Sequence, residues 1–206
     1  MQDSWQLLRN NNKQLALCLL FAPRTDRQLL ADIFCFANEL ENAIQIPSEI
    51  ILAAIRLQWW HDTIANMVAK AEVPLMRALK DHIKAERIIQ DDLLALVALW
   101  QRRIDDSGVS TTYCFASCWE LAARVTCGSD FVEIAGRIAH KTIENGAQMP
   151  GVSSNDLATL RRVGSKTRWL YLAGCLTTRR LETKKDSEDP LLIWRLLFWR
   201  FGLGAN

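Results

Sequence analysis

Apolar side chains recur at helical spacing along almost the whole chain, and this periodicity constrains the fold more than any other feature. In residues 25–40, Leu29, Ile33, Phe36 and Leu40 are three or four positions apart, which places them on one stripe of a helix. Residues that start and stop helices separate such segments, and no run of β-branched residues alternates with polar ones as in a strand. The sequence therefore predicts an all-α protein.

Length and composition favour a single folded domain. The 206 residues are 50% hydrophobic and 23% charged, a balance that excludes an intrinsically disordered chain. A chain of this length can bury about 70% of the surface of its unfolded state. We predict a helical domain over residues 1–182, a polar linker over residues 183–189 and an apolar, aromatic helix over residues 190–206.

Local signals predict the helices at both ends of this domain. The first helix is predicted over roughly residues 5–21, and the three asparagines at positions 10–12 leave an interruption open. Residues 154–182 are predicted to form one long helix, in which Val163 and Trp169 belong to the apolar stripe.

Charge and cysteine content narrow the classes of function and location. The formal net charge of +2 is too small to indicate a nucleic-acid-binding protein by itself. The six cysteines form no CxxC pair and have no histidine at metal-ligand spacing, which is typical of reduced thiols in a cytosolic protein. The N-terminal residues lack the features of a signal peptide, and the apolar run at residues 15–22 is far shorter than the ~20 residues of a spanning helix. We expect a cytoplasmic protein without a transmembrane helix, with a peripheral membrane contact left open.

Two stretches near the N-terminus carry a family resemblance. The first, LLFAPRTDRQLLADIFCFANELENAI, joins an apolar segment, a proline and an arginine to a helix that continues into phenylalanine and acidic residues; the second is IRLQWWHDTI at residues 55–64. Both resemble the squalene/phytoene synthase family, and the IRLQWW sequence is most similar to a divergent branch of that family. Outside residues 19–64 the likeness is limited to helix order and to short segments such as AGRIAH and MPGVSSNDL. The resemblance implies a single-domain, isoprenoid-synthase-like helical bundle with a central apolar cavity.

The first magnesium-binding motif of that family has lost most of its charge in this chain. Active members join two prenyl diphosphates head to head, and two aspartate-rich motifs hold the magnesium ions that neutralise the diphosphate. By the resemblance, the first motif falls on Glu41, Asn42 and Gln45, of which only Glu41 is negatively charged. A site reduced from three charges to one should lose most of its affinity for a strongly hydrated divalent ion.

The second motif is missing at the expected place. It should follow residues 135–137, where the chain contains neither an Arg-Asp pair nor a DxxxD pattern. Arg102 and Arg103 occupy the region where active members place a further aspartate. We therefore assign no catalytic residue and expect no cofactor, with magnesium only if the chain is catalytic and Glu41 as the one candidate metal ligand.

The adjacent tryptophans of IRLQWWHDTI point to different faces of one helix, because neighbouring residues are about 100° apart. We expect both faces to be buried, one against neighbouring helices and the other along the cavity. The two apolar lines are Ile51, Ile55 and Trp59 on one side and Leu57, Trp60 and Ile64 on the other. Arg56 would meet a diphosphate or a carboxylate, or instead form a salt bridge or stack on a tryptophan. The candidate cavity-wall residues are Phe36, Arg56, Trp59 and Trp60.

The C-terminal residues 190–206 are apolar and aromatic, with Arg195 and Arg200 as their only charges. Such a helix packs on the core of its own domain, on a partner or on a bilayer, and the polar linker before it favours a docking element. The candidate membrane or partner contacts are Trp194, Arg195, Phe198, Trp199 and Arg200.

The three histidines do not indicate a metal site. No two of them have metal-ligand spacing, and His82 lies one helical turn from Glu86, which we interpret as a surface pair rather than as zinc ligands.

Three hypotheses of function follow. The preferred one is a non-catalytic relative of the squalene/phytoene synthases that binds a prenyl or lipid ligand or a protein partner, similar to the branch that includes mitochondrial factors assisting complex I assembly. The alternatives are a magnesium-dependent head-to-head prenyl transferase and a helical interaction module.

Overall fold

A computed structural model of the chain describes residues 3–66, 73–105, 108–143 and 152–183, together with residues 196, 197 and 199. Within this part the regular structure is helical and contains no strand, which confirms the all-α prediction. The helices are α1 (Ser4–Asn11), α2 (Lys13–Leu19), α3 (Arg24–Gln45), α4 (Ile50–Ala65), α5 (Pro74–Lys84), α6 (Gln90–Asp105), α7 (Thr111–Thr126), α8 (Val132–Ile143), α9 (Ser154–Val163) and α10 (Arg168–Thr183), with a short 3-10 helix at Ser129–Phe131 before α8.

The interruption near the N-terminus occurs at Asn12. Its backbone has φ −148° and ψ 78°, outside the helical region, and its Oδ1 accepts the N–H of Leu15 at 3.0 Å. Asn12 therefore ends α1 and caps α2, so that the first predicted helix is two short ones.

The prediction of one long helix over residues 154–182 is wrong. Gly164 has φ +100°, which a continuing right-handed helix cannot contain, and it separates α9 from α10. Val163, predicted on the buried stripe, is exposed at the end of α9, whereas Trp169 is fully buried.

Helix α3 lies at the centre of the bundle. It packs against α1, α2, α4, α5, α6 and α7, and every residue from position 29 to position 37 is buried. Phe34 meets Trp119 and Trp169 edge-on, and Phe36 meets Trp60 edge-on with ring centroids 5.4 Å apart. These aromatic contacts connect α3 to α4, α7 and α10 through one core.

Part of the C-terminal segment packs on the core. Leu196 is fully buried and Trp199 is 3% exposed, and both belong to the main hydrophobic cluster. For Trp199 this burial favours packing on the chain's own core over an exposed docking contact. The other candidate contacts, Trp194, Arg195, Phe198 and Arg200, and residues 184–189 of the predicted linker lie outside the described residues. No helix in the described ranges is long and apolar enough to cross a membrane.

Candidate functional site

Glu41 lies on α3 and points toward α6, which supplies its two strongest partners. Arg103 Nη1 donates to Glu41 Oε2 at 2.5 Å, and Trp100 Nε1 donates to the same oxygen at 3.0 Å. Gln45, one turn further along α3, donates from Nε2 to Glu41 Oε1 at 3.0 Å. Trp100 and Arg103 reach one carboxylate because residues three apart share a face of a helix.

Glu41 is held in its ionised form. Burial alone would raise its pKa, but the hydrogen bonds from Arg103, Gln45 and Trp100 and the charge of Arg103 outweigh burial and hold the pKa below its usual range. The Glu41 and Arg103 side chains are only 16% and 15% exposed. The carboxylate is therefore a partly buried anion whose counter-ion is supplied by the chain itself.

The residues at this position do not fit a magnesium site. A divalent cation at Glu41 would have to displace a guanidinium that is already 2.5 Å from the carboxylate, or sit beside its positive charge. The Gln45 amide directs an N–H toward Glu41, whereas a metal would need its carbonyl oxygen. Among the described residues, no group of three or more His, Cys, Asp and Glu side chains is placed to hold a metal ion.

The region of the second motif performs a different role. Arg137 on α8 bridges Glu133 at 2.5 Å and Asp156 at 2.8 Å. Asp156 also forms a reciprocal capping box with Ser153 at the start of α9. Burial would raise the pKa of Asp156, but the hydrogen bonds of Ser153 and the charge of Arg137 hold it below its usual range. Arg137 thus fastens α9 to α8, and residues 144–151 between them lie outside the described part.

Two small adjoining cavities lie where α1 and α2 meet α7 and α8. Their volumes are about 170 and 210 Å³. Both are lined by Asn12, Leu15, Trp119, Thr142 and Ile143. Neither is lined by Glu41 or by any of the four candidate cavity-wall residues.

The candidate cavity-wall residues divide into two buried and two exposed ones. Phe36 and Trp60 are core residues in mutual contact. Trp59 is 47% exposed, and Arg56 is exposed without an ion pair to any described residue. The expectation that both faces of α4 are buried is therefore wrong, because α4 lies at the outside of the bundle and packs one face on α3 and α6.

The outer face of α4 and the residues just before it form an apolar surface, which we call the α4 patch. Its six large side chains are between 46% and 71% exposed. The patch consists of Ile46, Ile50, Ile51, Leu52, Ile55 and Trp59. Together they expose on the order of 600 Å² of apolar surface, which equals or exceeds the largest patch of a typical monomer at roughly 300–600 Å². The sequence signal was the low polarity of both faces of α4.

Asp32 is a buried carboxylate that was not predicted from the sequence. Asp32 on α3 is fully buried, accepts Gln28 Nε2 at 3.0 Å and contacts His82 Nε2 at 2.9 Å. The interpretation of His82 and Glu86 as a surface pair is wrong, because α5 ends at Lys84 and His82 points inward to Asp32. An aspartate within the apolar run LLADIF was the available signal, since a buried charge requires a partner.

Comparisons with known proteins add no relative to this description. No family model matches the chain, and neither a curated protein nor a solved structure matches it. Two features of the chain itself bear on function: the carboxylate of Glu41 paired with Arg103, and the α4 patch.

Proposed function

We propose that this chain is a non-catalytic relative of the squalene/phytoene synthases, with an isoprenoid-synthase-like bundle, and that it binds a protein partner through the α4 patch. The observation that carries the proposal is the exposure of Ile51, Ile55 and Trp59, one turn apart along the outer face of α4. A helix that is apolar all round is normally buried on all sides. The bundle covers only one side of α4, so a second surface covers the other.

The size of the α4 patch suits a protein interface. A standard interface buries about 800 Å² on each partner, with an apolar centre and a polar rim. The patch supplies roughly 600 Å² of apolar centre, and Gln58 and Thr63 lie beside it in the α4 sequence. A partner that presents an apolar helix would complete the burial of α4 by ordinary helix packing.

The charges near the patch favour a protein over an anionic membrane. Glu49 and Asp62 are exposed at the two ends of α4, and Arg56 is the one lysine or arginine within the helix. Peripheral helices that bind anionic lipid instead carry several lysines or arginines along the polar face. The two carboxylates would oppose a negatively charged surface.

A second copy of the chain is a poorer fit than a different protein. In a symmetric antiparallel pair of α4 helices centred on Ile55, the two Arg56 side chains would lie on the same side of the interface and close together. Two-fold symmetry always pairs like with like near the axis, and here the residue beside the axis is charged.

The pairing of Glu41 with Arg103 supports the absence of prenyl transfer. The ionised carboxylate that remains of the first motif is neutralised internally. Incubation of the purified chain with farnesyl diphosphate and magnesium should release no diphosphate above the level of a buffer control. Turnover that Glu41→Gln abolishes would overturn the non-catalytic part of the proposal.

Site-specific photo-crosslinking in cells tests the partner. A photoreactive amino acid at position 55 or 59 should give one discrete protein adduct, identified by mass spectrometry, whereas position 155 on the exposed part of α9 should not. The purified adduct protein should then bind the chain at least tenfold more weakly after Ile51→Glu. A self-adduct, a lipid adduct or equal labelling at position 155 would contradict a dedicated protein partner at α4.

A further inference from the structure

A second apolar surface lies near the N-terminus, where α1 and α2 meet. The two helices are separated by the break at Asn12, and side chains from both line a groove of about 360 Å³. Its apolar lining consists of Trp5 from α1, Ala16 and Leu17 from α2, and Leu20 just after α2. We call this the α1–α2 groove, and its volume exceeds those of the two cavities described above.

Three polar and four apolar residues line the groove. Arg9 and Lys13 belong to its lining, both side chains are exposed, and neither forms an ion pair with a described residue. Gln6 adds a neutral, exposed polar side chain. The large apolar side chains are Trp5 and Leu17, which are half-buried against the core, and Leu20, which is exposed. Two cationic side chains without an ion pair, beside apolar side chains of the same groove, suit a ligand that has an anionic head and an apolar tail.

The volume of the groove limits the tail. At about 360 Å³ the groove lies at the lower end of the roughly 300–1,000 Å³ range of small-molecule pockets. That capacity suits one chain of a free amphiphile rather than the two chains of a bilayer lipid. Arg9 and Lys13 come from successive helices on either side of Asn12, so both can approach a single carboxylate or phosphate head.

We propose that the α1–α2 groove binds a single-chain anionic amphiphile of the fatty-acid type. The chain lies along Trp5, Leu17 and Leu20, and Arg9 and Lys13 bind the head. This site is independent of the α4 patch and of Glu41, and it goes beyond the proposed partner binding because it assigns a small-molecule ligand to a different surface.

Calorimetric titration of the full chain with monomeric sodium decanoate tests the proposal. We expect saturable binding that weakens at least tenfold in the double variant Arg9→Gln, Lys13→Gln and in Leu20→Glu, which places a negative charge in an exposed position of the groove. Arg77→Gln on α5 is the matched charge control, because Arg77 is exposed and has no ion pair among the described residues. Ile55→Gln is the control for binding to the α4 patch. Both controls should bind as the parent does.

Further ligands separate the chemistry of the head from that of the tail. Decanol, with the same chain and no charge, should bind at least tenfold more weakly than decanoate, and inorganic phosphate should not displace decanoate at equal concentration. The assignment would be overturned if Arg77→Gln weakened binding as much as the groove variants do, or if Ile55→Gln abolished binding. Binding of phosphatidylglycerol vesicles without binding of decanoate would also overturn it. Urea denaturation of every variant establishes that the bundle is folded.

Discussion

Arg103 on α6 donates a 2.5 Å hydrogen bond to the Glu41 carboxylate on α3, so that a guanidinium is the cation at the position where the family resemblance implies a metal. Trp100 and Gln45 complete the set of donors to the same carboxylate. The arrangement connects two helices of the core through one carboxylate.

Removal of the Glu41 charge should destabilise the bundle. Glu41→Gln leaves Arg103 partly buried without its anion, and we expect a loss of about 1–3 kcal/mol in the free energy of unfolding. Urea denaturation measures this loss. Glu133→Gln is the matched control, because Glu133 also pairs with an arginine but is 86% exposed, so it should change stability little. Equal effects of the two substitutions would contradict a special role of Glu41.

The contribution of Glu41 should depend on pH. Its folded-state pKa lies below the usual value for glutamate, about 4.3, so the folded state binds fewer protons than the unfolded state in that range. The stabilisation is therefore complete above the unfolded pKa and disappears as the pH falls through the folded pKa. The stability difference between the parent and Glu41→Gln should be constant from pH 6 to pH 7 and should decrease below about pH 4. A difference that grows on acidification would contradict the pairing.

Aspartates at positions 42 and 45 alone should not create a magnesium site. In Asn42→Asp with Gln45→Asp, Arg103 remains bound to Glu41, so we expect little gain in affinity for magnesium. Adding Arg103→Ala removes the competing cation and should tighten magnesium binding at least tenfold over the double variant. Calorimetric titration with magnesium chloride gives the comparison. Equal affinities of the double and triple variants would show that Arg103 is not the competitor.

The two adjacent tryptophans should differ sharply in their effect on stability. Trp60 is 6% exposed and meets Phe36 edge-on, so Trp60→Ala should cost about 3–5 kcal/mol. Trp59→Ala removes an exposed ring whose described aromatic contact is Trp60, at 5.0 Å, and should cost about 1 kcal/mol. Thermal and urea denaturation compare the two variants. A large loss with Trp59→Ala would mean that its ring is needed for folding rather than for an interface.

The pair of His82 and Asp32 should be needed for the attachment of α5 to α3. His82→Ala leaves a fully buried carboxylate with Gln28 as its described partner, and we expect a loss of about 2–4 kcal/mol. His61→Ala is the control, because His61 pairs with Asp62 at the surface and its side chain is 39% exposed. Hydrogen exchange should locate the loosening of His82→Ala in α5.

Local signals predicted the all-helical class, because helix periodicity depends on residues that are close in sequence. The predicted apolar stripe of Leu29, Ile33, Phe36 and Leu40 is buried, and at residues 29–37 the burial extends around the whole circumference of α3. The turn at Gly164 was missed, since the apolar spacing continues on both sides of it and a single glycine is tolerated in a helix.

Contacts between distant parts of the chain could not be predicted. Nothing in the sequence pairs Asp32 with His82, fifty residues later, or Glu41 with Arg103, sixty-two residues later. The apolar character of α4 was predicted correctly, but the sequence does not distinguish a helix covered on both faces by its own bundle from one whose outer face is left exposed. That distinction needed the exposure of each face.

The exposed apolar face of α4 should affect how long the protein persists in a cell. Exposed apolar surface of this extent attracts chaperones and proteases, and it promotes aggregation when the protein is overproduced alone. With the proposed partner binding, the steady-state amount of the chain should follow the supply of the partner that covers Ile51, Ile55 and Trp59. A copy without that partner would be short-lived, so the proposed interface would also match the abundance of the two proteins.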